Sequence, residues 1–360
     1  MISKVLKTAL VSSLFGWQQP KHLIFHVTSR CNARCGMCFV WKRLNKNKDL
    51  TLEEIEKIAK ILPGLIFLDI SGGEPFLRDD LTQILAIFEK ESPGVYVNLP
   101  TNGLMPERIE KETRKILRET DLSISLNLSL DGLEKTHDEI RGVKGNFEKV
   151  LQTYRRLAQV KKENPRLSLK VATVVSKLNF HELEGLADFV KREMKEIDFQ
   201  TLILVRGEPA DKSFTLPPLE ELKKQQSTFF EIWQNYGYGK NLGWFGSKVA
   251  NSSHRFLFHL YLKTLKEKKM SLPCLAGNAH VVVFANGDLS FCELRQPIGN
   301  LRKVNFNFWS LWQGKEAQKQ RQEIAQNACF CTHGCNWTDN IFFSLKTYPF
   351  LVRELIRSFC

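Results

Sequence analysis

Cys31, Cys35 and Cys38 stand in C-x3-C-x2-C spacing within Cys-Asn-Ala-Arg-Cys-Gly-Met-Cys. Three thiols on so short a loop can turn their sulfurs toward one metal centre. A 4Fe-4S cube needs four ligands, so three protein thiolates leave one iron open to bind and activate another molecule. The other reading is zinc, with a histidine such as His26 completing the set. Structural zinc motifs usually pair two short knuckles, and this spacing directly behind a first strand favours the iron–sulfur cube.

Further chemistry-bearing segments each end a strand-like run. Ser71-Gly72-Gly73-Glu74-Pro75 sets two glycines, which let backbone approach a ligand, before a carboxylate able to accept from an ammonium group. Thr101-Asn102-Gly103 and Ser129-Leu130-Asp131-Gly132 end the next two runs. Ser129 and Asp131, two apart on a strand, are expected to face the same side and bond hydroxyls or polar groups of a ligand. Arg141, in His137-Asp138-Glu139-Ile140-Arg141-Gly142, can pair bidentately with a carboxylate of the ligand or of Asp131. His137 itself reads as a surface helix histidine. Thr173-Val174-Val175 and Arg206-Gly207 end later runs, either beside the cavity or in ordinary strand packing.

A second set of cysteines lies near the C-terminus. Cys274 and Cys292 bracket Asn286-Gly287, a strong hairpin signal, and Cys329, Cys331 and Cys335 follow in C-x-C-x3-C. With Cys360 these make six thiols, too few for two fully ligated cubes and enough for one. Structural zinc is the alternative occupant.

These segments resemble the radical S-adenosylmethionine (SAM) superfamily, through its GGEP, TNG, S-[IL]-D-G and H-D-x-x-R-G patterns, over most of the chain. Met37 stands where the family often has an aromatic residue, a mild departure because Met is a soft apolar substitute. The resemblance implies a 4Fe-4S cluster on Cys31, Cys35 and Cys38 with SAM chelating the open iron. It implies that Gly72, Gly73, Glu74, Pro75, Asn102, Ser129, Asp131 and Arg141 hold SAM. Reductive cleavage would then release a 5′-deoxyadenosyl radical that abstracts a substrate hydrogen atom, with electrons from a flavodoxin- or ferredoxin-like donor. The tail resembles SPASM and twitch domains, implying one auxiliary 4Fe-4S cluster on Cys274, Cys292 and two of Cys329, Cys331 and Cys335. Cys331 and Cys335 are favoured, because both thiols of a C-x-C pair rarely bind one iron, and His333 is a substitute ligand. Such a cluster would anchor substrate or carry an electron away. The substrate could be a small molecule, a peptide or protein side chain, or a lipid-linked compound. The competing reading is a non-catalytic iron–sulfur or zinc-binding scaffold on the same fold.

The elements that must position these residues alternate. Strand patterns at Leu23–Val27, Leu65–Ile70, Val95–Leu99, Leu122–Leu130, Leu169–Val175 and Phe199–Val205 are separated by amphipathic helical patterns. Thr51 and Glu54 form a capping box at the start of the first of these helices. The rhythm predicts parallel strands in an α/β fold, a partial (β/α)6 TIM-like barrel with a small C-terminal α+β iron–sulfur domain. The expected domains are an N-terminal extension over 1–21, the core over 22–215, a helical connector over 216–270, the auxiliary-cluster domain over 271–340 and an amphipathic helix over 341–360. Gly237, Gly239, Gly243 and Gly246 predict a loop inside the connector, before a helix over Arg255–Lys269.

Composition sets the remaining limits. In 360 residues, 43% are hydrophobic and 25% charged, an ordinary globular balance. The net charge of +13 coats helix faces and forms no recognisable nucleic-acid module, so no nucleic-acid partner is expected. The apolar run from Ala9 to Trp17 is too short to span a bilayer and precedes no cleavage signal, which points to the cytoplasm and reduced cysteines. Residues 1–17, Arg255–Lys269 and Ile341–Phe359 mix basic and aromatic side chains, a pattern suited to peripheral docking on an anionic membrane surface or to packing over the barrel.

Overall fold

The computed structural model describes residues 2–46, 48–234, 236, 243–326 and 329–357, except for the side chains at 2, 243–245 and 335. Six strands, β1 (His22–Thr28), β2 (Phe67–Gly72), β3 (Tyr96–Thr101), β4 (Ser123–Ser129), β5 (Leu167–Val175) and β6 (Phe199–Leu204), pair in parallel, each with its sequence neighbour. A doubly wound sheet would reverse its strand order at a switch point; this unbroken order is that of a partial barrel. β1 is buried along its whole length, as its His-Leu-Ile-Phe-His-Val-Thr run requires of a strand covered on both faces.

Ahead of β1 lies α1 (Ile2–Phe15). The crossover helices are α2 (Leu52–Ile61), α3 (Leu81–Glu91), α4 (Pro106–Glu119), α5 (Glu134–Arg141) with α6 (Asn146–Glu163), and α7 (Leu183–Glu193). The capping box forms: Thr51 Oγ1 accepts from Glu54 N at 3.3 Å, and Glu54 Oε2 accepts from Thr51 N at 2.9 Å. The same carboxylate receives Arg302, tying the C-terminal region to this helix start. α5 is too short for its periodicity to stand out in the sequence, yet it backs the cysteine loop.

The connector holds α8 (Leu219–Lys224), α9 (Gln226–Gln234) and α10 (Gly243–Glu267). The expected loop is corrected here: Gly243 and Gly246 lie in α10, while Gly237 and Gly239 fall outside the described residues. Glycine costs a helix about 1 kcal/mol. Burial of Phe256, Phe258, Leu260 and Tyr261 against β6 and its surroundings outweighs that cost and covers the open edge of the barrel.

The C-terminal strands β7 (His280–Val283), β8 (Asp288–Ser290) and β9 (Gly299–Asn300) extend the same sheet. β7 pairs parallel with β1, then β8 and β9 follow antiparallel through the predicted turn at Asn286-Gly287. The auxiliary region is thereby built onto the barrel. After α11 (Phe308–Trp312) and α12 (Lys315–Ala325), α13 (Gly334–Phe342) and α14 (Tyr348–Arg357) close the described chain. Pro349 lies in the first turn of α14, where its missing N–H is harmless, rather than breaking a longer helix.

At the N-terminal end of the strands, His22 and His280 are register partners on β1 and β7. Asp339 of α13 lies 2.9 Å from His22 Nδ1 and 2.8 Å from His280 Nδ1, and Asp69 lies 3.2 Å from His22 Nε2. Burial opposes charge on His22, but the carboxylates of Asp339 and Asp69 outweigh it and raise His22 to about 10. Burial likewise opposes charge on Asp339, while His22 and its hydrogen bonds bring it down to about 2. The stability from His22 is complete below its unfolded value near 6.5 and is lost as pH rises through about 10. That from Asp339 is complete above 3.8 and is lost as pH falls toward 2. Thermal melts across pH should therefore peak between about 4 and 6.5. His22→Ala, which takes one of two histidine partners from the buried Asp339 carboxylate, should cost up to ~3 kcal/mol at that maximum in chemical denaturation.

Candidate active site

The cysteine loop leaves β1 and is held by its backbone and by non-cysteine side chains. Asp49 accepts from Ser29 N at 2.8 Å, and Asn45 bonds both Cys31 N at 2.9 Å and Cys31 O at 3.2 Å. Arg34 N and Gly36 N donate to the last carbonyls of α5, Arg141 O at 3.1 Å and Ile140 O at 3.0 Å. From β2, Gly73 N donates to Thr28 O and Glu74 N to Arg30 O, both at 2.8 Å. Gly73 is obligatory here, since a Cβ would sit 1.9 Å from the Arg30 carbonyl oxygen. These bonds revise the expected part played by the Gly-Gly turn. Its N–H groups grip the cysteine loop, leaving carbonyls and the Glu74 side chain to meet a ligand.

The three cysteines line one cleft of about 260 Å³ at the C-terminal ends of the strands. Gly72, Gly73, Glu74, Pro75, Asn102, Ser129 and Arg141 line the same cleft, with Val174 and Arg206 opposite. Glu74 is the only carboxylate among the described lining residues. Its Oε1 accepts from Thr101 Oγ1 at 2.9 Å and Phe76 N at 3.3 Å, and its Oε2 from Asn102 N at 2.8 Å. Burial nevertheless raises it to about 7. Asn102 donates from Nδ2 to Asn32 Oδ1 at 2.7 Å, joining β3 to the cysteine loop.

Asp131 requires correction. β4 ends at Ser129, so strand alternation no longer applies two residues on. Asp131 is fully buried behind the cleft, its Oδ1 accepting from Val174 N at 2.7 Å and its Oδ2 lying 2.5 Å from Arg141 Nη2. It aims Arg141, whose Nη1 lies 3.7 Å from Cys35 Sγ. His137, expected at the surface, is also fully buried and accepts from Asp131 N at 3.1 Å through Nδ1. Burial and the Arg141 charge lower it to about 3, keeping it neutral. The available signal was spacing: His137 and Arg141, four apart, share one helix face. Thr173 donates to Leu130 O at 2.7 Å and belongs to the strand packing, whereas Val174 faces the cleft.

The donor set fits an iron–sulfur cluster with a zwitterionic ligand. Burial first, and then the neighbouring thiols, push Cys31 up to about 11 and Cys38 up to about 12, so a bound metal is what would hold these two as thiolates. Arg141 Nε and Arg206 Nε are buried and find no hydrogen-bond partner among the described residues, which leaves each able to donate to a ligand. Among the described residues no three His, Cys, Asp or Glu side chains converge as on a single metal ion; a four-iron cube spaces its thiolates more widely.

Of the second set, Cys274, Cys292, Cys329 and Cys331 are free thiols. Burial raises Cys292 to about 12, with Cys331 beside it, and its sulfur accepts from Asn336 Nδ2 at 3.2 Å and Leu294 N at 3.4 Å. Cys274 is raised by burial and by proximity to Cys292, Cys331 and Cys329. The Cys335 side chain and Cys360 lie outside the described residues. His26, the alternative zinc ligand, and His333, the substitute cluster ligand, both place Nε2 on Glu293, at 2.7 and 2.6 Å. Glu293 carried no expectation from the sequence.

Residues 25–190 match the Radical SAM superfamily. The chain is 32% identical to Fe-coproporphyrin III synthase of Methanosarcina barkeri over 48% of its own length and only 41% of that protein's. It is 27% identical to AdoMet-dependent heme synthase of the same organism over 84% of this chain and 85% of the other. Streptococcus suis SuiB bound to S-adenosylmethionine superposes with a TM-score of 0.61 at 20% identity, covering 89% of this chain and 72% of SuiB. Fold and cleft define the class, a partial barrel with three cysteines lining a cleft at the C-terminal ends of its strands. Residues 25–190 thus carry the sequence of the radical SAM superfamily, whose enzymes use a 4Fe-4S cluster and SAM and need an electron donor and a substrate.

Proposed function

We propose that the chain binds a 4Fe-4S cluster on Cys31, Cys35 and Cys38 and SAM in the adjoining cleft, and uses them to abstract a substrate hydrogen atom. One observation carries this reading: the three sulfurs open into the same cleft as Glu74, Asn102, Ser129 and Arg141. Bound there, cluster and SAM supply one-electron cleavage and a hydrogen-abstracting adenosyl fragment. Glu74 and the glycine carbonyls accept from an ammonium group, while Arg141, aimed by Asp131, faces a carboxylate. Cys274, Cys292 and two of Cys329, Cys331 and Cys335 hold an auxiliary 4Fe-4S cluster. The electron donor is flavodoxin- or ferredoxin-like, and the setting is cytoplasmic. Anaerobic reconstitution tests the reading: 5′-deoxyadenosine released from SAM supports it, and iron binding with no cleavage favours the non-catalytic scaffold.

Peripheral docking on an anionic membrane belongs to the same reading. No described helix is long and apolar enough to cross a membrane. Val5 and Ala9 of α1 are buried, Val5 packing with Ile66, Ala279 and Phe343, while Leu6, Leu10, Val11 and Leu14 are exposed. Phe350, Val352 and Ile356 of α14 are exposed too, beside Arg353 and Arg357, whereas Phe256, Phe258 and Tyr261 of α10 serve the core. Residues 1–20 contain Lys4 and Lys7 and no acidic residue. Cations near an anionic surface add ~1 kcal/mol each. The protein should therefore sediment with phosphatidylserine-containing liposomes at low salt, and Leu10→Asp with Leu14→Asp should leave it in the supernatant. Equal recovery of both forms in the supernatant would show that these faces play no part in lipid binding.

A further inference from the structure

We infer that Glu293 is a positioning residue: its carboxylate clamps the auxiliary-cysteine segments against the wall of the cleft and sets the charge beside the auxiliary centre. The inference rests on the reading that those cysteines hold a cluster. Glu293 directly follows Cys292, and its side chain is 3% exposed. Oε1 lies 2.7 Å from His26 Nε2 on β1 and 3.4 Å from Ser71 Oγ at the end of β2. Oε2 lies 2.6 Å from His333 Nε2, two residues beyond Cys331. One side chain thus joins two barrel strands to both flanks of the second cysteine set.

The clamp also reaches the first set. The His333 ring meets Phe39 edge-on at 6.2 Å, and Phe39 follows Cys38. Arg206, which lines the cleft, lies over the same Phe39 ring at 4.5 Å. A buried carboxylate between two imidazoles is a costly way to join three segments, and apolar side chains of similar volume would serve stability as well. What they could not supply is a negative charge held next to Cys292. Iron–sulfur potentials follow the net charge and hydrogen bonding around the sulfurs.

Two variants separate electrostatics from simple bracing. Glu293→Gln keeps the shape and removes the charge, so the auxiliary cluster should become easier to reduce. The shift should be about tenfold in the oxidised-to-reduced ratio at fixed potential, or ~59 mV for one electron. His26→Leu keeps the carboxylate and removes one of its hydrogen-bond partners, so its charge is less shared and the ratio should move the opposite way. The measurement is a redox titration of the reconstituted full chain, followed by electron paramagnetic resonance, with iron content assayed in parallel. Opposite shifts at unchanged iron support the inference. Unchanged potentials in both variants, or shifts of the same sign with loss of iron, overturn it while leaving the auxiliary cluster standing. A wild-type chain that binds no second cluster overturns both.

Discussion

A chain with Cys31, Cys35 and Cys38 all replaced by Ala is expected to release no 5′-deoxyadenosine from SAM under reducing, anaerobic conditions. It should keep its auxiliary iron, losing about four irons per chain. The loss should be chemical rather than structural, because the loop's anchors are elsewhere: Asn45, Asp49 and the backbone contacts to Gly73, Ile140 and Arg141 all remain. Circular dichroism and melting temperature should stay close to those of the wild type. Chromatography of the reaction products against an iron assay makes the comparison. Product formation by the triple variant would mean that cleavage is seated on other residues.

Glu74→Ala should weaken SAM binding about ten- to a hundredfold with iron content nearly unchanged. The residue is the only described carboxylate in the cleft, and a charged hydrogen bond is worth ~1.5–3 kcal/mol. Removing it also leaves the Asn102 N–H and the Thr101 hydroxyl without their acceptor where β2 meets β3. Glu74→Gln, which keeps an acceptor, should lose less. Asp131→Ala should weaken SAM as well, but at one remove, by releasing Arg141. Equilibrium binding of SAM to the reconstituted variants measures each effect; affinities equal to that of the wild type in the Glu74 variants would place the ammonium site on other groups.

The sequence alone determined the strands, most helices and the cysteine-lined end of the barrel, because their signals are local. Apolar periodicity marks an element within a dozen residues, and the Thr51–Glu54 box or the Asn286-Gly287 turn acts between near neighbours. The segments ending β1 to β4 meet at one cleft because parallel strands place all their C-terminal ends on one side. Only the tertiary structure decided which of those residues face the cleft. Asp131 turned inward because β4 ends before it, and His137 was buried because α5 packs behind the cysteine loop. It likewise decided that β7 joins β1 and that Glu293 meets His26, 267 positions away in the chain. Contacts at such separations depend on where whole elements come to rest, and no local propensity encodes them.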